Sequence, residues 1–568
     1  MSRALAIPTD FPIQWRHADD AARLWMQDRL HYPDQVTPLE FCLIEGAVDA
    51  GLTKAARAYA IPIAVHDRCI NTYLYVHIAP LALSADESTK LAQASEAKLR
   101  TAMAQLAELW QGRWLPEIEA HLAAWHNFDL AAASLPALLA HLHETEHRFQ
   151  RVWEIHFLLF LPSMYAISQF ADLYAELFTE ATPFDAYKLL AGFESKTLAS
   201  GQALWVLSRQ ALASPVVHQI LTTTPPDAVL MTLVQSAAGQ AFLREFYAYL
   251  QEHGYRGDKL SLHYPFWVED PTPVVKMLRD YVAQPARDFM AERQAIAAQR
   301  ETSEQRVRAH LHYYPQPVRA EFDFLLGAAQ AGAWLKEEHG YWIDYKASYC
   351  VRQVLLTIGQ RLATLGTLAD GEDLFYLTLD EVKTLMGSRC NGLALDPTLA
   401  MLIAERKALA AKFAYITPPS MLGELPEGAP PDDPVSRMFL KIEGEPLPIL
   451  DAPLRHGVRA TGEMLRGHAG SPGVVRGPVR IVRQLMDIAK VQPGDILVAE
   501  TTAPPWTPLF ASVAAIVTDN GGILCHAAVV AREYGIPAVI GVQEATRCLH
   551  DGQWVEVDGN LGIVRIER

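Results

Sequence analysis

The chain has 568 residues, 50% of them hydrophobic and 20% charged, with 49 Lys and Arg against 65 Asp and Glu and a formal net charge of −16. At roughly 100–200 residues per domain, this length predicts two to four domains with proper cores, and the apolar fraction excludes a disordered chain. The acidic balance argues against a nucleic-acid binder, because phosphate contact needs clustered Lys and Arg.

The N-terminal residues lack the continuous apolar core of a signal peptide. The best membrane-span candidate, Ile155 to Ile167, is short and interrupted by Pro162. Six cysteines (Cys42, Cys69, Cys350, Cys390, Cys525 and Cys548) are dispersed and form no CxxC pair, so they read as reduced thiols. The expectation is a cytoplasmic protein with no membrane and no nucleic acid among its partners.

The first 416 residues read as helix after helix. Ser84 and Glu87 have the spacing of a capping box, in which each side chain satisfies an orphan backbone N–H. Leu99, Met103, Leu106 and Trp110 then follow at steps of 4, 3 and 4, one apolar helical face. The same period recurs across Leu135–Leu142 and Val354–Leu365. This pattern predicts a large all-α domain over 1–416, with at most a few short strands. Composition shifts next: nine prolines lie between Thr417 and Pro453, which predicts a semi-rigid linker over 417–466. From 467 to 568 short β-branched runs at Val479–Val482, Asp495–Ala499, Ala514–Thr518, Ala538–Ile540, Trp554–Val557 and Ile563–Ile566 surround one helix, His526 to Tyr534. The fold class is therefore multidomain, with a compact α/β domain behind a helical one.

Chemistry concentrates in the run from Thr518 to Gly541. A strand ends at Thr518, Gly521 and Gly522 permit positive φ and close backbone approach, and His526 opens the helix. A helix N-terminus offers unpaired N–H donors and a positive dipole end, both favourable to phosphate. Cys525 and the small Ala527 flank the imidazole, and Arg532 lies on the same helix. A neutral imidazole is a competent nucleophile near pH 7. By residue chemistry alone, His526 also reads as a plain helix cap.

The same run resembles the phosphohistidine swivelling domain shared by phosphoenolpyruvate synthase, pyruvate phosphate dikinase, rifampin phosphotransferase and phenylphosphate synthase. Gly470-Ser471-Pro472-Gly473, Gly494–Val498, Pro505-Trp506-Thr507-Pro508-Leu509 and Asp551–Gly559 extend the resemblance across the domain. It implies that His526 is transiently phosphorylated. Leu524 stands where the synthases and dikinases usually carry a regulatory Thr, a departure toward the rifampin phosphotransferase type.

The helical region is similar to the substrate domain of the rifampin phosphotransferase and phenylphosphate synthase group, through pieces such as His31-Tyr32-Pro33, Gly254-Tyr255-Arg256, Pro265–Pro271 and Glu337–Asp344 with Arg352. Candidate acceptor-site residues are His31, Arg256, Glu337, His339, Asp344 and Arg352, each of which also has a structural reading as a cap or bridge. No metal site is expected. The chain holds no Gly-Lys dipeptide, hence no Gly-x-x-x-x-Gly-Lys phosphate loop, and offers no segment for an ATP-grasp module or a pyruvate-handling (β/α)₈ barrel. The resemblance therefore implies a phosphotransferase component that binds no cofactor itself. ATP and Mg²⁺ would sit on a separate ATP-grasp subunit, and the acceptor would be a phenol-like hydroxyl compound. The alternatives are a phosphoenolpyruvate synthase-like enzyme and a non-catalytic phosphohistidine carrier or regulatory module.

Overall fold

The computed structural model describes residues 3–80, 84–182, 184–257, 260–393, 397–425, 434–443, 464–483 and 485–567. The chain divides into two compact units: Met1–Pro162 with Leu260–Tyr264 and Trp342–Pro430, and Ser163–Lys259 with Pro265–Tyr341 and Pro431–Arg568. Helix α1 (Leu135–Leu177) is continuous across the first of these divisions. Among the described residues no helix is long and apolar enough to cross a membrane.

In the first unit the expected helical periodicity is realised. Ser84 caps the helix Ala85–Ala104 and Glu87 closes the capping box. Leu99, Met103, Leu106 and Trp110 are all buried. The same unit also holds an antiparallel five-stranded sheet, β1 (Arg3–Ala4), β2 (Leu24–Gln27), β3 (Ile63–Ile70), β4 (Tyr73–Pro80) and β5 (Met421–Leu425), in the order β1-β5-β2-β4-β3. Periodicity did not announce it, because its longest hairpin turns through Asn71 and Thr72, both at positive φ, without the Gly that usually signals such a turn. Phe11, Trp25, Tyr75, Phe413 and Leu422 pack into one cluster against it.

Pro162 does not break α1. A mid-helix proline frees the carbonyl four residues earlier, and here the Tyr59 hydroxyl donates to the Leu158 carbonyl at 2.7 Å.

The Pro-rich stretch behaves differently from a plain linker where it is described. β5 lies between β1 and β2, and helix α4 spans Pro434–Glu443. The described prolines flank these elements: Pro418 and Pro419 precede the strand, and Pro434 opens the helix, where a missing N–H costs nothing. The remainder of the expected linker, 426–433 and 444–463, lies outside the described residues.

The second unit contains helices α2 (Phe289–Leu311) and α3 (Gln316–Gly340), the strap helix α4, and the C-terminal α/β fold. That fold is built on an eight-stranded sheet: β6 (Met464–Arg466), β7 (His468–Ser471), β8 (Val474–Ile481), β9 (Ile496–Ala499), β10 (Ala515–Thr518), β11 (Ala538–Ile540), β12 (Trp554–Asp558) and β13 (Ile563–Ile566), ordered β6-β13-β12-β8-β9-β10-β11-β7. β8, β9, β10 and β11 pair in parallel and the remaining pairs are antiparallel. β9 and β10 are buried at every position, as parallel strands covered on both faces must be. β10, the loop 519–525, helix α5 (His526–Tyr534) and β11 form a crossover that places the histidine loop beyond the carboxyl end of a parallel strand, where open α/β sheets bind ligands.

α3 approaches α1 through Gly332, where a Cβ would stand 2.7 Å from the Ser163 carbonyl oxygen and 3.0 Å from its Cα. Backbone cannot yield as a side-chain tip does. Gly332→Ala should therefore destabilise the protein by about 1–3 kcal/mol, read as a lower midpoint in thermal or urea unfolding.

Candidate functional site

His526 is the first residue of α5, and the loop before it is held from both sides. Gly521 adopts φ +105°, and a Cβ there would stand 2.8 Å from the Cys525 sulfur, so only glycine fits this turn. The Gly522 and Leu524 amides donate to the carbonyls of Ile442 and Lys441, each at 2.9 Å. Those carbonyls end α4, so the helix and the loop satisfy each other's orphan groups. The Ile523 carbonyl accepts from Arg532 at 3.0 Å, and the Leu524 carbonyl from the Lys336 ammonium at 2.7 Å. Arg532 also donates to the Gly470 carbonyl at 2.8 Å and lies over the Tyr187 ring. Asp519 anchors the start of the loop by accepting from the amide and hydroxyl of Thr546.

The imidazole that this loop presents is only 11% exposed. Nδ1 faces Glu337 of α3, with 3.7 Å between it and Oε2, and Nε2 lies 3.4 Å from the Thr507 hydroxyl. The Phe510 ring lies 6.3 Å from the imidazole, centroid to centroid. Glu337 is 10% exposed at its side chain, and its Oε2 is buried with no hydrogen-bond partner among the described residues. Burial pushes the Glu337 carboxyl up, but His526 and then Lys336 outweigh it and bring the carboxyl down to about 2. Glu337 is thus an ionised acceptor aimed at Nδ1. Burial depresses the Lys336 ammonium, opposed by Glu337, whose Oε1 is 4.0 Å away. Burial also pushes the Cys525 thiol up, which makes it packing rather than a nucleophile.

A buried ion pair secures the far end of α5. Arg293 of α2 meets Glu533 at 2.5 Å, and Glu533 also accepts the Gly192 amide. A cavity of about 30 Å³ lies beside the loop, lined in part by Tyr187, Lys336, Leu524 and Arg532; it has room for water but not for a small-molecule acceptor.

Residues 491–562 match the PEP-utilising enzyme mobile domain, and residues 156–337 match the rifampicin phosphotransferase fourth domain. The chain thus carries a mobile domain of the kind found in PEP-utilising enzymes and a domain of the kind found in rifampicin phosphotransferases. It is 41% identical over 99% of its length to a chondramide synthase of Chondromyces crocatus, of which it covers 14%. It is 31% identical over 73% of its length to the uncharacterized phosphotransferase YvkC of Bacillus subtilis, of which it covers 47%. A rifampicin phosphotransferase of Streptomyces sviceus is 31% identical over 65% of the chain, which covers 40% of it. The chain therefore spans less than half the length of each of these relatives.

Within this chain the expected site residues separate. Gly521, Gly522, Cys525, Ala527 and Arg532 all belong to the loop and helix around His526, and Glu337 stands against the imidazole itself. His339, in the same unit, is buried, and its Nδ1 donates to the Leu335 carbonyl at 2.6 Å. Arg256, also in that unit, is 1% exposed and donates to the carbonyls of His253 and Lys196. His31, Asp344 and Arg352 belong to the first unit. There His31 is an exposed partner of Asp28, Asp344 accepts from His156 Nδ1 at 2.9 Å, and Arg352 donates to the carbonyls of Leu262 and His263.

Residue patterns pointed to neither Lys336 nor Lys441. Thr507 carries no chemical signal of its own in the sequence, and its place beside Nε2 is a tertiary result.

Lys441 fastens the strap helix to α1, donating to the Ser168 carbonyl at 3.1 Å, the Ser168 hydroxyl at 2.9 Å and Asp172 at 2.7 Å. Lys441→Ala should loosen α4 and with it the loop it caps. Hydrogen exchange at the Gly522 and Leu524 amides should speed up while the amides of β9 and β10 keep their protection.

Proposed function

We propose that this chain is the carrier-and-acceptor part of a phosphotransferase in which His526 is covalently phosphorylated. In the charging step the Nε2 lone pair attacks a phosphoryl group derived from ATP, the P–N bond forms and the bond to the donor's leaving oxygen breaks. In delivery a hydroxyl oxygen of a small molecule attacks the same phosphorus. The P–Nε2 bond breaks, its electron pair returns to Nε2, and the hydroxyl proton passes to solvent water as the phosphate ester forms. Phosphoryl transfer of this kind is mostly positioning and charge stabilisation. The observation that carries the reading is the loop at the end of β10, which delivers an imidazole to a helix N-terminus with an ionised carboxylate facing Nδ1.

The names of the relatives support a small-molecule hydroxyl as acceptor, and a phenol-like compound is the class we favour. An ATP-grasp module outside these residues, on a separate subunit, would bind ATP and Mg²⁺ and charge His526. The cytoplasm is the compartment we infer. The domain that carries His526 would swing between the charging site and the delivery site, a motion of the microsecond-to-millisecond class.

Incubation with Mg-ATP and the ATP-grasp partner should place an acid-labile, base-stable phosphate on His526. His526→Ala should fold normally and abolish both the phosphate and transfer to a panel of phenols and alcohols; ordinary turnover by this variant would sink the proposal. Calorimetric titration of the chain alone with Mg-ATP should give no measurable heat of binding, and micromolar affinity would remove the need for a partner.

A further inference from the structure

We propose that Glu337 is a positioning residue that holds a proton on Nδ1 of His526, so that docking against α3 turns a stable phosphohistidine into a ready phosphoryl donor. This rests on the phosphohistidine reading above and adds to it where and why the group becomes labile.

The two sides of the imidazole differ in what moves with them. Thr507, 3.4 Å from Nε2, belongs to the same C-terminal fold as His526 and accompanies it wherever that fold goes. Glu337 belongs to α3, so a carrier that leaves this position leaves Glu337 behind. The carboxylate therefore meets Nδ1 in the docked arrangement and is lost in any other.

The contact matters because of what must leave. When the P–Nε2 bond breaks, its electron pair goes to Nε2. If Nδ1 carries a proton, the departing group is neutral imidazole. If Nδ1 is bare, it is imidazolate, a far poorer leaving group. A carboxylate opposite Nδ1 stabilises the protonated form and also fixes the tautomer of the resting ring, as carboxylates do for imidazoles elsewhere. Glu337 suits this task on two further counts: its Oε2 is buried and lacks a hydrogen-bond partner among the described residues, and its carboxyl, down to about 2, stays ionised across the working range. The 3.7 Å separation is slightly longer than a hydrogen bond, a spacing expected to tighten once the ring bears a phosphoryl group and a full positive charge. Thr507 takes the opposite side, where its hydroxyl meets the Nε2 lone pair at rest.

The purified chain, labelled with ¹⁵N-histidine, provides the test. In the resting protein the ¹⁵N shifts of His526 should report the Nδ1–H tautomer, and Glu337→Gln should mix the tautomers in a chain that still folds, with its unfolding midpoint lowered because Lys336 loses its buried counter-charge. Potassium phosphoramidate, a small donor that needs no partner, then charges His526. Phosphate loss to water, followed by ³¹P NMR and intact mass, should be slower in Glu337→Gln by about 10- to 100-fold, with the extent of charging unchanged. Glu337→Asp, which keeps the charge, should fall between the two. An Nε2–H tautomer in the resting wild type, or equal lifetimes for wild type and Glu337→Gln, would overturn the proposal. Failure of the wild type to accept phosphate on His526 would count against the carrier reading itself, and the resting tautomer would still decide the role of Glu337.

Discussion

An ionised carboxylate in a protein interior has to be compensated, and the region around His526 is organised by how Glu337 meets that demand. Its neighbours are the imidazole at 3.7 Å and the Lys336 ammonium at 4.0 Å. His526 compensates the carboxylate most, by direct side-chain interaction and then by its charge, with Lys336 next, and such interactions are strong in a poorly solvated site. Lys336 also donates to the Leu524 carbonyl, two residues before the histidine. One adjacent pair on the last turn of α3 therefore fixes both the field at the imidazole and the loop that presents it. Removing either charge leaves the other buried and less well compensated, the costly side of a buried pair.

Around that centre the loop is held mostly by backbone groups. The strap helix satisfies two amides, Arg532 and Lys336 satisfy two carbonyls, and Asp519 ties the loop to the segment after β11. Hydrogen bonds to the backbone tolerate few arrangements, which suits the precise placement that the proposed phosphoryl transfer by His526 would require. The same contacts bear on movement. Arg532, Asp519 and Thr507 lie within the C-terminal fold, whereas Lys336, Glu337 and Arg293 lie on α2 and α3. Under the proposed swing, a departing carrier would keep the first set and give up the second. The second set includes a lysine bond to a carbonyl, a carboxylate beside an imidazole and a buried ion pair, and further bonds run from Gly192 to Glu533, from Lys276 to the Val491 carbonyl and from Arg287 to the Ala511 carbonyl.

The position of α4 adds a constraint of its own. Its carbonyls bond the histidine loop while Lys441 bonds Ser168 and Asp172 of α1. A helix fastened to both sides cannot remain fastened to both if the loop moves. Met438, 1% exposed, and Ile442, 8% exposed, show that it is docked and not merely adjacent. Its Pro434 start and buried apolar face explain how a helix forms in a stretch dense with prolines.

Local chemistry was legible in the sequence. The β10–Gly-Gly–His–α5 order, the helix bounds His526–Tyr534 and the capping box at Ser84 follow from residue spacing, because each depends on neighbours within a few positions. The layout of a helical region followed by an α/β domain was legible for the same reason. The five-stranded sheet escaped, since β5 pairs with β1 and β2 from some 400 residues away and no period records such a partner. Pro162 inside α1 escaped as well, because the hydroxyl that relieves it comes from Tyr59, about a hundred residues earlier. Among the charged candidates, the sequence by itself determined which residues have the right chemistry. Tertiary structure alone decided that Glu337 stands against the imidazole, that Arg256 and Arg352 bind backbone carbonyls, and that Thr507 lies beside Nε2. The physical reason is that ionisation and nucleophilicity are set by burial and by atoms a few ångströms away, which chain order does not specify.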